Sequence, residues 1–441
     1  MSMHEPTPAD AAAAQDTLDW AMARLAGRRE VLPPAPQGGP LPPLTPGGIG
    51  TEAALRTLRE AVFPTAIPPD HPRYLAFVPG TPTVAAAIAD MALPAAMVFG
   101  GSLFEAGAAV EAEDAVLRWL ADRAGFPASA GGTFVSGGSI ASLSALVAAR
   151  GERFAAARRQ TIVAGASAHA SMAAAARIMG CDLVTAPAAD EHGRLTARVL
   201  EAALTGLDPE DVVAVVATAG ATNSGAFDDL SGVAAVCATH GLWMHVDGAY
   251  GGAALLSPRT RPLLDGIERA DSFIVNPHKM LYAPFDCAAV LYRDAAAARC
   301  ALTQEAEYLE PISGHGNPSD LAIHLTRRAR GLPLWASVLA YGTDAYAAAI
   351  DHCVDMAAYA AAGVAEAPAL ELVVEPAFTV LLVRRLGWTE EDYAYWCADA
   401  LARGLAMVMP TRHDGETVLR FCFVNPLTTR EDVDLVLADL G

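Results

Sequence analysis

Ser272-Phe-Ile-Val-Asn-Pro-His-Lys279 is an apolar run that ends in a polar turn. Its first four residues lack the polar alternation of a half-buried strand, so they read as a strand buried on both faces. The β-branched run Val212–Thr218 and residues 242–246 read the same way. Further out, strand patterns at 132–135 and 161–164 are interleaved with helical patterns at 112–124, 140–150 and 171–179. Strands alternating with helices predict an α/β fold, with a mainly parallel sheet and helices on both faces.

The character changes at both ends. Residues 16–30 predict a short amphipathic helix, 31–50 a Pro- and Gly-rich linker or extended arm, and 51–62 a second helix capped by Thr51. After about residue 334 an Ala-rich helix, interrupted near Gly342, is expected to reach 364. Strands at 370–374 and 379–383, a helix at 390–402 and a strand at 418–423 follow. These shifts predict an N-terminal arm (1–70), a large domain (71–335) and a smaller α+β domain (336–441). Repeats are not evident.

The chain has 441 residues, 53% hydrophobic and 18% charged, which suits a folded enzyme with a large interior. Its formal charge of −20 disfavours nucleic acid and anionic lipid as partners, and solubility alone accounts for such a surface. The seven cysteines are scattered without a C-x-x-C pair, the pattern of buried thiols in a reduced cytoplasmic protein, with no zinc site expected. No secretory signal is expected at the N-terminus. The apolar region 81–110 is interrupted by Asp90, Pro94 and Glu105, so buried structure is expected there in place of a membrane span.

Three stretches carry chemistry. A lysine at a strand end, as Lys279 is, can enter a cleft where desolvation frees its amine to form a Schiff base with an aldehyde cofactor. Beside it, Asn276 and His278 are placed to donate to an anion. Taken alone, the stretch also fits a solvated turn lysine. In His245-Val-Asp-Gly-Ala-Tyr250 a buried strand delivers Asp247 to its end, where a carboxylate needs a cation or donor. A protonated pyridine nitrogen is one such partner, and that pairing makes pyridoxal 5′-phosphate (PLP) an electron sink. Metal binding by His245 and Asp247 competes, but lacks an obvious third ligand. In Gly131-Gly-Thr-Phe-Val-Ser-Gly-Gly-Ser-Ile-Ala-Ser142, small residues join a strand to a helix whose N-terminus can cradle a phosphate with Ser139. Tight packing alone would also explain the glycines, and no G-K-[ST] of a nucleotide loop follows.

Together these stretches resemble the group II PLP-dependent amino-acid decarboxylases, the family of aromatic-L-amino-acid and glutamate decarboxylases. The resemblance spans roughly residues 71–441 and extends to His71-Pro-Arg-Tyr74, Ser167-Ala-His-Ala-Ser171, Val216-Ala-Thr-Ala-Gly-Ala-Thr-Asn-Ser-Gly225, Phe285-Asp-Cys287, Arg327-Arg328 and Leu334-Trp335. Asn276-Pro-His-Lys-Met280 is its most specific segment. It implies a fold-type I architecture with a mainly parallel seven-stranded sheet, and a homodimer with the active site at the subunit interface. It also implies that Lys279 holds PLP and Asp247 meets the ring nitrogen. His169 would stack on the ring and touch the reacting centre. Thr222 would lie near the ring, and Ala249 would pack on its other face. Gly138, Ser139, Asn276 and His278 would hold the phosphate. Arg420 is a candidate to steer a carboxylate, or else forms a domain-interface ion pair.

The family's mobile loop departs from the pattern here. In Tyr308-Leu-Glu-Pro-Ile-Ser-Gly-His-Gly-Asn-Pro-Ser-Asp320 no tyrosine stands where the resemblance expects a proton donor near 317–319. His315, or Tyr308 in another loop conformation, is the candidate replacement. The same departure leaves open an aldehyde synthase, or another PLP lyase. For the substrate pocket, Phe77, Val78 and Phe99 are expected as apolar walls. Gly80 and Gly101 stand where bulkier residues are common. No Arg or Lys among these positions would pair a side-chain carboxylate, so a hydrophobic substrate, aromatic or branched, is expected over glutamate.

Overall fold

The computed structural model describes residues 4–30, 32, 41–151, 160–312 and 316–441. Its main sheet contains β1 (Gly131–Val135), β2 (Thr161–Gly165), β3 (Asp182–Ala186), β4 (Val212–Thr218), β5 (Met244–Asp247), β6 (Ser272–Val275) and β7 (Ala288–Tyr292), in the order β1-β7-β6-β5-β4-β2-β3. Neighbours from β6 through β5, β4 and β2 to β3 are parallel. Only β7 runs against its neighbours, β6 and β1. Two antiparallel steps restore the direction, so β1, β4, β5 and β6 all end at one edge of the sheet.

The uninterrupted apolar runs follow from burial on both faces. Phe273 and Val275 enter the core that holds Leu230 and Val233, whereas Ile274 packs with Ala141 and Ala145 on the opposite face. Val215 and Val216 divide in the same way between two cores. The helix Gly138–Arg150 leaves β1 and lies across β4 to β7, which aims its N-terminus at the edge where the parallel strands end.

A second sheet contains β8 (Leu370–Leu372), β9 (Val380–Arg385), β10 (Met409–His413) and β11 (Glu416–Cys422), antiparallel throughout in the order β10-β11-β9-β8. Its own apolar core unites Leu381, Leu419 and Phe421 with residues of the helices Thr343–Glu366, Glu390–Ala402 and Arg430–Leu440. The segment after His71 joins this unit: Leu75 N–H donates to the Met407 carbonyl, and Cys422 N–H to that of Leu75.

Several boundaries differ from the sequence expectation for local reasons. The first helix starts at Pro8, because Thr7 and Asp10 form a reciprocal capping box. The second is capped by Gly50 in place of Thr51, and its α-helical part, Thr51–Thr57, runs into a π-helical turn, Leu58–Val62. The helix expected at 112–124 begins earlier, at Leu103, capped by Ser102. The interruption expected near Gly342 is present, parting Leu332–Tyr341 from Thr343–Glu366, and the φ of 76° at Gly342 is a left-handed conformation that glycine adopts freely. Of the expected linker, residues 31 and 33–40 lie outside the described residues.

Candidate active site

At the edge where β4, β5 and β6 end, a cleft opens between the two sheets. Phe77, Val78, Gly138, Ser139, His169, Thr222, Asp247, Ala249, Asn276, Lys279 and Arg420, all singled out from the sequence, line it together. Sheet register explains part of this convergence: Thr218 at the end of β4 stands opposite Asp247 at the end of β5. Crevices beyond the carboxyl ends of parallel strands are the usual ligand sites of such sheets.

Lys279 follows β6 in the turn 276–283, which is braced by Lys279 N–H to the Asn276 carbonyl and Tyr282 N–H to the Lys279 carbonyl. Burial lowers the pKa of its ammonium, and the Asp247 carboxylate partly offsets that shift. Asp247 is 7% exposed, and its Oδ1 accepts the Ala249 N–H at 3.1 Å. Behind it, His245 is fully buried with Nδ1 2.9 Å from Ser272 Oγ and Nε2 3.3 Å from Ser142 Oγ. Burial pushes its pKa down to about 4, so the ring is neutral at neutral pH and both nitrogens are occupied by hydroxyls. Among the described residues, no three His, Cys, Asp or Glu side chains are grouped to hold a metal ion.

His278 stands behind Asn276 and does not line the cleft. Its Nδ1 accepts the Cys287 N–H at 3.0 Å, and burial beside Lys279 drives its pKa down to about 4. The neutral ring therefore carries its proton on Nε2, which lies 3.3 Å from the Asn276 amide. The structure sets Nδ2 toward this nitrogen and leaves Oδ1 buried without a partner, but the ring proton requires the amide oxygen, so the amide is assigned turned over, with its NH2 in the unpartnered position. The same amide faces Gly138, where an added Cβ would come within 3.1 Å of it. A donor without a partner thus sits beside a bare helix N-terminus.

Arg420 crosses from β11 into the cleft. Its guanidinium donates to the carbonyls of Thr222 at 3.0 Å and Ala76 at 2.6 Å, and lies over the Phe77 ring. It ties β11 to the loop after β4 and to Ala76 through carbonyls, and among the described residues it forms no ion pair of the kind weighed from the sequence.

Gly80, Phe99 and Gly101 do not line this cleft. Gly80 donates its N–H to the His278 carbonyl at 2.8 Å, and a Cβ there would fall 1.6 Å from the Lys279 carbonyl oxygen. Close packing against the lysine turn demands a glycine at this position. Phe99 lines a separate surface groove with Met97 and Arg328. A Cβ on Gly101 would press on the Phe99 ring and the Leu325 carbonyl. His315 lies outside the described residues, and Tyr308 is 72% exposed on the preceding 3-10 turn.

Four lining residues were quoted in the sequence motifs without a role there: Ser171, Thr218, Gly220 and Tyr250. Thr218 Oγ1 is buried without a partner, and the Tyr250 hydroxyl is hydrogen-bonded to Thr379 Oγ1. The signal for Thr218 was its position as the last residue of an apolar run, level with Asp247 on the neighbouring strand.

The family model of the pyridoxal-dependent decarboxylase conserved domain matches residues 52–385. An aromatic-L-amino-acid decarboxylase of Bacillus atrophaeus is 32% identical over 409 residues, covering 88% of this chain and 84% of its own. An L-2,4-diaminobutyrate decarboxylase of Rhizobium meliloti (strain 1021) is 33% identical over 419 residues, covering 91% of this chain and 83% of its own. The crystal structure of Oryza sativa TDC with PLP and tryptamine is similar at a TM-score of 0.89 and 27% identity, over 100% of this chain and 98% of that one.

Proposed function

This chain belongs to the pyridoxal-dependent decarboxylase family, and we propose that it converts a hydrophobic L-amino acid, aromatic or branched, to the amine and CO2. The family is one of PLP-dependent lyases of fold-type I, and PLP is the cofactor. The observation that carries the reading is the desolvated Lys279 amine in one cleft with the buried Asp247 carboxylate.

The cleft suits PLP. The unpartnered Asn276 amide beside Gly138 supports a phosphate there, and the buried, unpartnered Thr218 hydroxyl leaves a further polar contact free. When bound, PLP supplies an electron sink for the pair released as CO2 leaves. In our reading Lys279 Nζ is the nucleophile, eased toward its free base by burial. Asp247 would meet the ring nitrogen of the cofactor and hold a proton there. Gly138 and Ser139 hold the phosphate with Asn276, and His278 acts through the Asn276 amide. Thr222 and Ala249 would bound the cofactor ring, His169 would cover it, and Arg420 would steer the substrate carboxylate. We propose His315 as proton donor from the loop.

Phe77 and Val78 support an apolar substrate. Asp247 is the one carboxylate among the described lining residues, and it stands by Lys279, which leaves no second acid for a cationic side chain such as diaminobutyrate. We further propose a cytoplasmic homodimer in which Phe99, backed by the buried Gly101, reaches the partner's cleft. The strongly exposed Met97 and Phe104 support the interface, and seven unpaired cysteines support the compartment. An apolar core of its own around the second sheet supports a small part at 336–441 after a large one at 71–335 and an arm at 1–70, with Tyr346, Ile350 and Cys353 of the small part packing into the main core.

A second reading is an aldehyde synthase, in which O2 is consumed and aldehyde, ammonia and peroxide accompany CO2. The engagement of the Tyr250 hydroxyl by Thr379 favours it, because no other phenol lines the cleft among the described residues.

The test combines the absorbance of the PLP-loaded protein with a panel of L-amino acids and CO2 trapping. A visible band that borohydride abolishes, and that Lys279→Ala lacks, is expected, together with at least a thousandfold loss of activity in that variant, on the order of what removing an essential nucleophile costs. Best turnover of glutamate, aspartate or diaminobutyrate would sink the substrate class. Peroxide and ammonia in place of amine would select the second reading.

A further inference from the structure

His169 Nδ1 lies 2.8 Å from Ser171 Oγ and 3.2 Å from the Ser171 backbone nitrogen. The hydroxyl can donate or accept, so by itself it leaves the ring's tautomer open. The backbone N–H can only donate. It is the first N–H of the helix Ser171–Met179, one of the donors that a helix leaves without an internal partner. A proton on Nδ1 would point at that N–H, so Nδ1 must offer its lone pair. The Ala170 cap supplies no side-chain bond, and the imidazole takes over that task.

We propose that Ser171 is a positioning residue: its N–H sets His169 in the Nε2–H tautomer, and its hydroxyl fixes the ring so that Nε2–H is the atom offered to the cleft. This rests on the PLP decarboxylase reading and adds a residue to it. Among the described residues Nε2 has no hydrogen-bond partner, and both His169 and Ser171 line the cleft. The consequence is chemical. In this tautomer His169 is a hydrogen-bond donor to whatever occupies the cleft, and its one basic nitrogen is turned away. It orients an anionic group but does not withdraw a proton from the substrate.

The experiment is a two-bond 1H–15N spectrum of PLP-loaded enzyme labelled with 15N-histidine at neutral pH, with the His169 signal identified by its absence in His169→Asn. An unprotonated Nδ1 and a protonated Nε2 are expected. A protonated Nδ1 overturns the proposal. In Ser171→Ala the backbone donor survives, so the tautomer is expected to persist while kcat falls about three- to tenfold, the worth of one hydrogen bond that orients the ring. An unchanged kcat, with or without a lower melting temperature, would reduce Ser171 to a helix cap and overturn its positioning role. Failure to bind PLP at all would show separately, as a missing visible band, and would count against the decarboxylase reading itself.

Discussion

Asp228 is a carboxyl group that burial holds far from its ordinary titration. It is 5% exposed, and its two oxygens each accept a backbone N–H at 2.6 Å, from Leu195 and Thr218. Burial raises its pKa from 3.8 to about 7, against the lowering effect of those two donors. A raised carboxyl pKa means that the folded chain binds more protons than the unfolded one between pH 3.8 and about 7, so this group's contribution to stability falls as pH rises through that window. Asparagine in its place does not titrate, and it presents an NH2 to one of the two N–H groups. Asp228→Asn is therefore expected to be destabilised by about 1–3 kcal/mol at low pH, the cost of an unsatisfied buried pair. The gap should narrow as pH approaches about 7. Urea unfolding across that range checks this, and a gap that does not change with pH would refute it. Because Asp228 ties the end of β4, the same variant reports on the strand that carries Thr218 to the cleft.

The turn that presents Lys279 owes its shape to an element distant in sequence. Gly80 packs its backbone on the Lys279 carbonyl with no space for a side chain. Gly80→Ala must push the turn aside, and we expect PLP affinity to fall at least tenfold, with a loss of about 1–3 kcal/mol in stability as for other overpacked sites. Titration of the visible band with PLP measures the first, and unchanged affinity would show that the turn yields without cost. This contact also marks where the sequence stops being legible. β4 and β6 could be read because burial on both faces leaves uninterrupted β-branched runs. β3 escaped because Asp182-Leu-Val-Thr-Ala186 is a half-exposed edge strand of mixed character, and β7 because Ala288-Ala289 lacks a β signature. Lys279, Asp247, His169 and Asn276 were visible as chemistry placed at strand ends or in loops. Gly80, Phe99 and Gly101 were expected in the substrate pocket from the resemblance, yet none lines this cleft, and at Gly80 the reason is a close approach that only a Cβ measured against its neighbours reveals. Ser171 sat inside a quoted motif, but its task depends on which imidazole nitrogen it meets.

The two sheets meet at Tyr250, which lines the cleft and reaches into the smaller unit. Its hydroxyl bonds to Thr379 Oγ1 and accepts the Thr379 N–H at 3.2 Å, and its ring leans on Phe378. Tyr250→Phe would leave that buried N–H unpaired, at an expected cost of about 1–3 kcal/mol. A lower urea midpoint with unchanged slope is the measure, and an unchanged midpoint would mean that the joint relies on apolar packing alone. The cleft collects residues from Phe77 to Arg420, and between them β1 at Gly131–Val135 is zipped to the distant β7 at Ala288–Tyr292. On a ribosome, such a pocket has no early draft. The turn after β1, the lysine turn and the Arg420 guanidinium emerge in succession, and each waits for the next. Pairings this remote in sequence make assembly slow and leave unfinished sheet edges open to the wrong neighbours. The cofactor therefore meets a receptive protein only after the strand that carries Arg420 has emerged, when it can act as a final fastening of the two halves.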